Sequence, residues 1–277
     1  MDLIHSSSII EGNVKLGKNV KLGPFCYLSG NITIGDNTVI ESHTIIQGDV
    51  IIGANNIIGS HVSIGIISFD ISNRHTSGRV IIGDNNYIGR NTSISRGTND
   101  NSTVIGNDNL FMGVSHIAHD TNVGSNVVFA QLASTMGHVI VEDYARIGGG
   151  CAIHQKCKIG HHAYITTLLI INYDVVPYGY VVPYIISSRR DAAVTGINFI
   201  GLKRMGYSTL DIKMIKDLYH NLFVVNSDYP LTKKIELLSD DLKDNTYINN
   251  ILKFLNPENR IRPLMKYIEA SYENKAE

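Results

Sequence analysis

Charge of neither sign dominates this 277-residue chain. Its 24 basic and 25 acidic residues leave a formal net charge of −1, and charged residues make up only 18% of the total. That balance excludes the basic footprint of a nucleic-acid binder and the acidic run of a solvated tail. Cysteine is scarce: Cys26, Cys151 and Cys157 show no CxxC or zinc-finger spacing, and pairing two of them would leave an odd thiol. Free thiols in a reducing compartment are expected. The opening residues, Met-Asp-Leu-Ile-His, lack a basic n-region and a long apolar run, so no signal peptide is expected. A long unbroken apolar stretch is missing as well. Residues 166–188 are strongly apolar, but Asn172, Asp174, Pro177 and Pro183 interrupt them. A membrane span would need about 20 mostly apolar residues without such breaks. The expectation is a soluble, cytoplasmic protein with no transmembrane segment and no nucleic-acid partner, long enough to bury a sizeable core.

What the chain does have is a period. Ile, Leu or Val recurs every sixth residue from Ile4 to Ile64, and again at Ile82, Ile88 and Ile94. The series then restarts one residue early and runs from Ile105 to Ile165, with Phe111 and Phe129 among its members and Thr135 its one polar entry. Glycine often follows the apolar residue. Neither a 3.6-residue helix nor a two-residue strand alternation produces this spacing. A hexapeptide β-helix does, because each short strand forms one side of a three-sided coil and the sixth-position residues stack inward. The predicted fold class is therefore mainly β: a left-handed parallel β-helix over residues 1–187, followed by a small α-helical C-terminal domain.

That second part, residues 188–277, has another grammar. A connecting segment is predicted from Arg189 to Gly206. Ser208 is a helix N-cap with Asp211 as its acidic partner, and Ile212, Ile215, Leu218, Leu222 and Phe223 follow at helical spacing. Further helices are predicted over residues 231–242, 245–255 and, after the Pro257 break, 261–272. Such a domain should pack on the coil or on a neighbouring subunit. Two breaks interrupt the ladder: a polar excursion at residues 66–79 that keeps the register, and one at residues 96–103 that shifts it by one. Loops extruded from a solenoid's corners commonly carry function, although a neutral insertion is the equal alternative. Flat faces invite packing against identical copies, and a homotrimer would match the three-sided section.

Histidine is the chemically interesting residue. Of the 11 histidines, His116, His119, His138 and His154 fall in one stretch of coil. His119, beside Asp120, suits a general base, because an adjacent carboxylate fixes the tautomer and supports the charged form. The alternatives are hydrogen-bonded histidines without chemistry, or a metal site of the kind found in β-helix enzymes of the carbonic anhydrase type. The His-x-x-His spacing does not by itself establish the latter, and no metal ligand is assigned. From their offsets, the histidines need not share one face within a subunit and could converge across a subunit boundary. Cys151 and Cys157 have no activating neighbour and read as buried small side chains.

Several motifs bear a more specific resemblance: Gly106-Asn-Asp-Asn-Leu-Phe-Met, His116-Ile-Ala-His-Asp120, Gly137-His138, Ile147-Gly-Gly, His154-Gln155, and Asn198 with Gly201-Leu-Lys-Arg204. Together they resemble the UDP-N-acetylglucosamine O-acyltransferases of lipid A biosynthesis, over nearly the whole chain. The resemblance implies His119 as general base, Asp120 as its orienting carboxylate and Gly137 as a backbone donor to the oxyanion. It implies substrate contacts for Asp70, His116, His138, His154, Gln155, Asn198 and Arg204. It also implies a homotrimer with sites between subunits, an acyl-CoA or acyl carrier protein donor, and no tightly bound cofactor.

Departures from the family pattern cluster in the acceptor pocket. The family's Asp-Leu-Lys is Asp70-Ile71-Ser72, its His-Arg-Gly-Thr is Ser95-Arg96-Gly97-Thr98, and its paired arginines are Arg204 and Met205. After the coil, Asp174-Val-Val-Pro-Tyr178 survives in part but the family's Gly-Asn does not. Arg189 and Arg190 in that altered segment either replace lost phosphate-binding charge or form a solvated turn, and the turn is the preferred reading. Changed recognition with retained chemistry favours an acyltransferase that N-acylates a nucleotide-linked amino sugar for surface glycans. The alternative is UDP-N-acetylglucosamine 3-O-acyl transfer in lipid A synthesis. Lesser alternatives are the metal-dependent enzyme and an inactive binding homologue. Sequence does not supply the sugar, the UDP or dTDP base, or the acyl length.

Overall fold

Residues eighteen apart stack on one another, because three six-residue sides complete one turn of coil. Ile10 pairs with Leu28, and Leu28 in turn with Ile46. The structure is a computed structural model that describes residues 3–73, 76–186, 189–225, 228–238 and 245–268. It shows a parallel β-solenoid of about ten turns. A first face runs through Ser93–Ser95, His116–Ile117, Ser134–Thr135, Ala152–Ile153 and Ile170–Ile171. A second runs from Arg79–Ile82 to Lys158–Ile159. The third runs from Lys21–Leu22 to Gly179–Ile186.

The sixth-position ladder fills the interior. Leu28, Ile34, Ile40, Ile46, Ile52 and Ile58 are fully buried, as are Phe111 and Phe129, whose rings stack at 5.2 Å. Each such side chain contributes about 2 kcal/mol relative to exposure. Thr135 keeps its place because its Oγ1 accepts the Ala118 N–H at 3.1 Å, so a buried hydroxyl is satisfied. Ile4 and Ile10, predicted inward, are exposed, since they lie on the rung that no described turn covers. Corners are turned by residues in the left-handed region, among them the ladder Asn19, Asn37 and Asn55. In the first three turns one corner is instead a continuous bent strand, and Gly12, Gly30 and Gly48 take positive φ there. A Cβ on Gly30 would lie 2.3 Å from the Gly48 carbonyl oxygen, which only glycine avoids.

The two excursions appear as breaks in the stacking interval. Ile52 pairs with Ile82 and Ile46 with Ile64, so the described residues 67–73 and 76–78 lie in an excursion outside the regular rungs. Ile94 pairs with Ile117 rather than a residue eighteen further on, which accommodates the loop at 96–101.

The coil's exit differs from the predicted connecting segment. Residues Arg189–Ile197 form a strand antiparallel to Gly179–Ile186, closing the third face with a hairpin. Asn198 then caps a short helix, α1 (Phe199–Arg204), which the periodicity did not indicate. Helix α2 (Thr209–Phe223) begins with the predicted Ser208/Asp211 capping box. Helix α3 (Leu231–Glu236) is shorter than predicted, and residues 239–242 lie outside the described ones. Helix α4 (Thr246–Leu255) is capped by Asn245.

The helix predicted over 261–272 is not formed in its described part. Leu264 bridges to Asp174 and Tyr267 to Val194, so the end of the coil takes this segment's backbone hydrogen bonds and tertiary pairing overrides helical spacing. Ile212, Ile215, Leu218 and Leu222 of α2 join one core with Val176 and Val181 of the coil. Lys158 lies 4.6 Å from the centre of the Phe254 ring on α4. Among the described residues no helix is long and apolar enough to cross a membrane. All three cysteines are buried and unpaired. Burial pushes each thiol up, Cys157 to about 12 with help from Asp174, so none is poised as a nucleophile.

Candidate active site

The corner after strand His116–Ile117 carries His119 and Asp120, and the next turn carries Gly137 and His138 on the same two rungs. Asp120 and His138 both adopt positive φ, 58° and 60°, which aims their side chains away from the coil's interior. The His138 N–H donates to the His119 carbonyl at 3.0 Å, fixing the spacing of the turns. His119 Nδ1 lies 2.7 Å from Asp120 Oδ2, and His138 Nε2 lies 3.7 Å from the same oxygen. The two imidazoles meet edge to face at 5.1 Å. All of this occurs within one chain, so His119 and His138 meet without a subunit boundary, an arrangement the sequence offsets left open. The stacking interval is the reason: His138 follows Asp120, and Gly137 follows His119, by one turn of coil.

Asp120 is firmly held. Thr98 donates its N–H to Oδ1 at 2.9 Å and its hydroxyl to Oδ2 at 2.6 Å, while the Asp120 N–H donates to Thr103 Oγ1. Burial acts to raise this carboxyl, but the donors from Thr98 and His119 outweigh it and leave the pKa below the usual range. Asp120 is therefore an anion at neutral pH, and the Nδ1 proton of His119 points at it. Gly137 supplies space: a Cβ there would sit 2.4 Å from both Cε1 and Nε2 of His119. Among the described residues nothing accepts the Gly137 N–H or bonds to His119 Nε2.

A cavity of about 450 Å³ opens beside this pair, lined by Asp70, His116, His119, Gly137 and Gln155 among others. Five predicted site residues thus share one cleft. His116 accepts or donates at 2.7 Å to the Ser93 hydroxyl, and burial together with nearby His119 lowers its pKa, keeping it neutral. Asp70 reaches the cleft from the first excursion. Its carboxylate accepts from Asn73 and from the Ser72 N–H, both at 2.9 Å, and those donors hold its pKa low. Phe69, Ser134 and Met136 line it without having been singled out by sequence, together with Ser95, Ala118 and the polar ladder residue Thr135.

The remaining predicted residues lie elsewhere in the chain. His154 Nδ1 pairs with Arg262 Nη2 at 2.9 Å, and the Gln155 carbonyl accepts from Arg262 Nε. Asn198 is buried, caps α1 through Gly201 and donates to the His162 carbonyl at 2.9 Å. Arg204 is exposed in the last turn of α1. Arg189 and Arg190 lie in the exit strand, and their side chains are outside the described set. A larger cleft of about 740 Å³ lies between the second face and α4, near Lys158, Tyr207 and Lys253, and holds none of the predicted site residues.

A three-sided parallel coil with a His–Asp pair in a corner cleft marks a hexapeptide-repeat protein, and residues 31–65 match the bacterial transferase hexapeptide (six repeats) model. Residues 181–264 match the model described as UDP-N-acetylglucosamine O-acyltransferase, domain 2. A relative from Janthinobacterium sp., named acyl-[acyl-carrier-protein]--UDP-N-acetylglucosamine O-acyltransferase, is 35% identical over 98% of both chains. For a relative of the same name from Agrobacterium fabrum, 38% identical, the matched segment spans 44% of this chain and 42% of that protein. The solved UDP-N-acetylglucosamine acyltransferase of Francisella novicida superposes with a TM-score of 0.87 at 30% identity, covering 95% of this chain and 94% of that one. The chain belongs to the UDP-N-acetylglucosamine O-acyltransferase family.

Proposed function

We propose that the protein transfers an acyl group from an acyl carrier protein thioester to a hydroxyl of UDP-N-acetylglucosamine, with His119 as general base. The observation that carries this reading is the His119–Asp120 pair opening onto a cleft shared with Asp70, His116 and Gln155. Asp120 holds the Nδ1 proton and leaves Nε2 free to take the proton of the attacking hydroxyl. The new C–O bond forms as that proton moves, and the Gly137 N–H donates to the developing oxyanion. Collapse breaks the C–S bond, and the proton on Nε2 passes to the departing thiolate. Holding donor and acceptor in one cleft supplies the proximity term.

The altered residues in the acceptor pocket favoured N-acylation of an amino sugar. Relatives aligned over nearly their whole length carry the O-acyltransferase name, and that supports the hydroxyl acceptor instead. We further infer a homotrimer, in which His154, Asn198 and Arg204 of one chain serve the cleft of a neighbour. The absence of all three from the cleft of their own chain supports this arrangement.

A substrate panel tests the proposal. UDP-N-acetylglucosamine and UDP- and dTDP-amino sugars are each offered with acyl carrier protein and acyl-CoA donors, and products are read by mass. Transfer to UDP-N-acetylglucosamine from the carrier-protein donor is expected to dominate; preferred N-acylation would overturn the acceptor assignment. His119→Ala should lower kcat by at least about 100-fold with unchanged melting and oligomer size. Undiminished turnover in that variant would sink the base assignment.

A further inference from the structure

Beside the base, one donor atom from each of His119, Asp120 and His138 falls within 4.8 Å of the other two. No other group of three histidine, cysteine or acidic side chains among the described residues does so. His43 and His61 stack at 4.8 Å, and His161 and His162 approach through Nδ1 at 2.8 Å, but each pair lacks a third ligand. Two imidazoles and a carboxylate are the donor set that zinc-class ions prefer, whereas magnesium and calcium prefer oxygen alone.

The spacing is close to what such an ion needs. Ligand atoms around tetrahedral zinc lie about 3.4 Å apart. His138 Nε2 stands 3.7 Å from Asp120 Oδ2, while His119 Nδ1 at 2.7 Å must retreat by a side-chain adjustment. Asp120 is already anchored from behind by Thr98, as a metal-binding carboxylate commonly is. Its side chain is 5% exposed, but that of His138 is 35% exposed and gives an ion a way in.

We propose that His119, Asp120 and His138 form a binding site for a divalent zinc-class ion, and that its occupancy switches transfer off. Binding at Nδ1 requires the single proton held there to shift, by way of solvent, to Nε2. A neutral imidazole ligated through Nδ1 thus carries its one proton on Nε2, so it can no longer accept one from the acceptor hydroxyl. The ion also takes the Asp120 charge that would have stabilised the imidazolium. The same three side chains therefore serve either as a proton acceptor or as a cage, never as both at once. The inhibitory half of this inference rests on the proposed acyl transfer; the binding half does not.

Metal-stripped full-length protein is titrated with Co²⁺ and read by its visible absorption, with Zn²⁺ added as competitor. One Co²⁺ per chain with tetrahedral-intensity bands, displaced by Zn²⁺, is expected. His138→Gln and Asp120→Asn, checked by melting, should each weaken binding by more than about tenfold. His43→Ala should leave it unchanged. Zn²⁺ should abolish transfer by the wild-type protein, and a chelator should restore it. Wild-type protein that binds neither ion, or His138→Gln protein that binds as tightly as wild type, would overturn the site. Binding without loss of transfer would overturn the switch. Because binding is read without substrates, a protein that holds Co²⁺ yet acylates nothing counts against the proposed function and not against the site.

Discussion

His119 can stand where it does because Gly137, one turn later, has no side chain. The contact of 2.4 Å that a Cβ would make with Cε1 and Nε2 is well inside van der Waals range, so one partner must move. Displacing a base by about 1 Å costs on the order of 100-fold in rate. Gly137→Ala is therefore expected to lower kcat by about that factor while changing the melting temperature little, measured by steady-state transfer and calorimetry. Full activity in the alanine variant would show that the glycine is not needed for space. Thr98 acts on the other side of the pair. Its two donors hold Asp120 ionised, and a hydrogen bond to a charged group contributes about 1.5–3 kcal/mol. In Thr98→Val the Asp120 pKa should rise, shifting the acid limb of the pH–rate profile upward, whereas Thr98→Ser should keep the wild-type profile. An unmoved acid limb in the valine variant would remove Thr98 from the positioning role.

The site's legibility in sequence follows from the same geometry. The pairing of His119 with Asp120 was readable, being local. That Gly137 and His138 stack on them was contained in the three-side turn, since both pairs are eighteen residues apart, but offsets counted from the inward ladder concealed it. Thr98 was not readable as a partner of Asp120, because it lies in an irregular loop whose return path no period describes. Arg262 on His154 was beyond reach for a different reason: a contact 108 residues apart is set by where the C-terminal segment docks.

At the scale of elements, that docking is where helical spacing misled. Asp174 explains why the segment is held in extended form. Its N–H donates to the Pro263 carbonyl at 2.9 Å, its carbonyl accepts from Met265 at 2.8 Å, and Oδ1 accepts the Lys158 N–H at 2.7 Å. Oδ2 is buried without a partner among the described residues, and burial raises the carboxyl to about 6 against the pull of the Lys158 N–H and Arg260. A carboxyl with a raised folded pKa contributes stability that is complete below the unfolded value of about 3.9 and disappears as pH rises through about 6. Asp174→Asn keeps the oxygen that Lys158 needs and has no proton to lose. Its stability relative to wild type should therefore improve by about 1 kcal/mol between pH 5 and pH 8, read from urea melts at both values. A difference that stays constant across that range would mean Asp174 does not titrate there. The coil, by contrast, was legible apart from its first rung, because most rungs repeat an inward apolar residue and most corners a left-handed one.

The whole molecule raises the question of how a site can be complete when Arg204 sits exposed at the end of α1 and Asn198 lies buried under it. The surface beside the cleft suggests the answer. Leu132 and Leu168 recur on one corner at 57% and 67% exposure, and Met136 and Ile170 are exposed near them. An apolar stripe of this kind, adjoining a cleft, is suited to burial against a second copy. A cyclic assembly would then bring one chain's α1 to the next chain's His119, so each cleft draws on two chains. That arrangement predicts complementation. Chains carrying His119→Ala and chains carrying Arg204→Ala should each be impaired alone. Co-folded at equal amounts, they would assemble at random, and about one quarter of clefts would combine an intact His119 with an intact Arg204 from the neighbour. Transfer should therefore rise to about that fraction of wild type in the mixture. If both residues served the cleft of their own chain, every cleft in the mixture would lack one of them, and mixing would restore nothing.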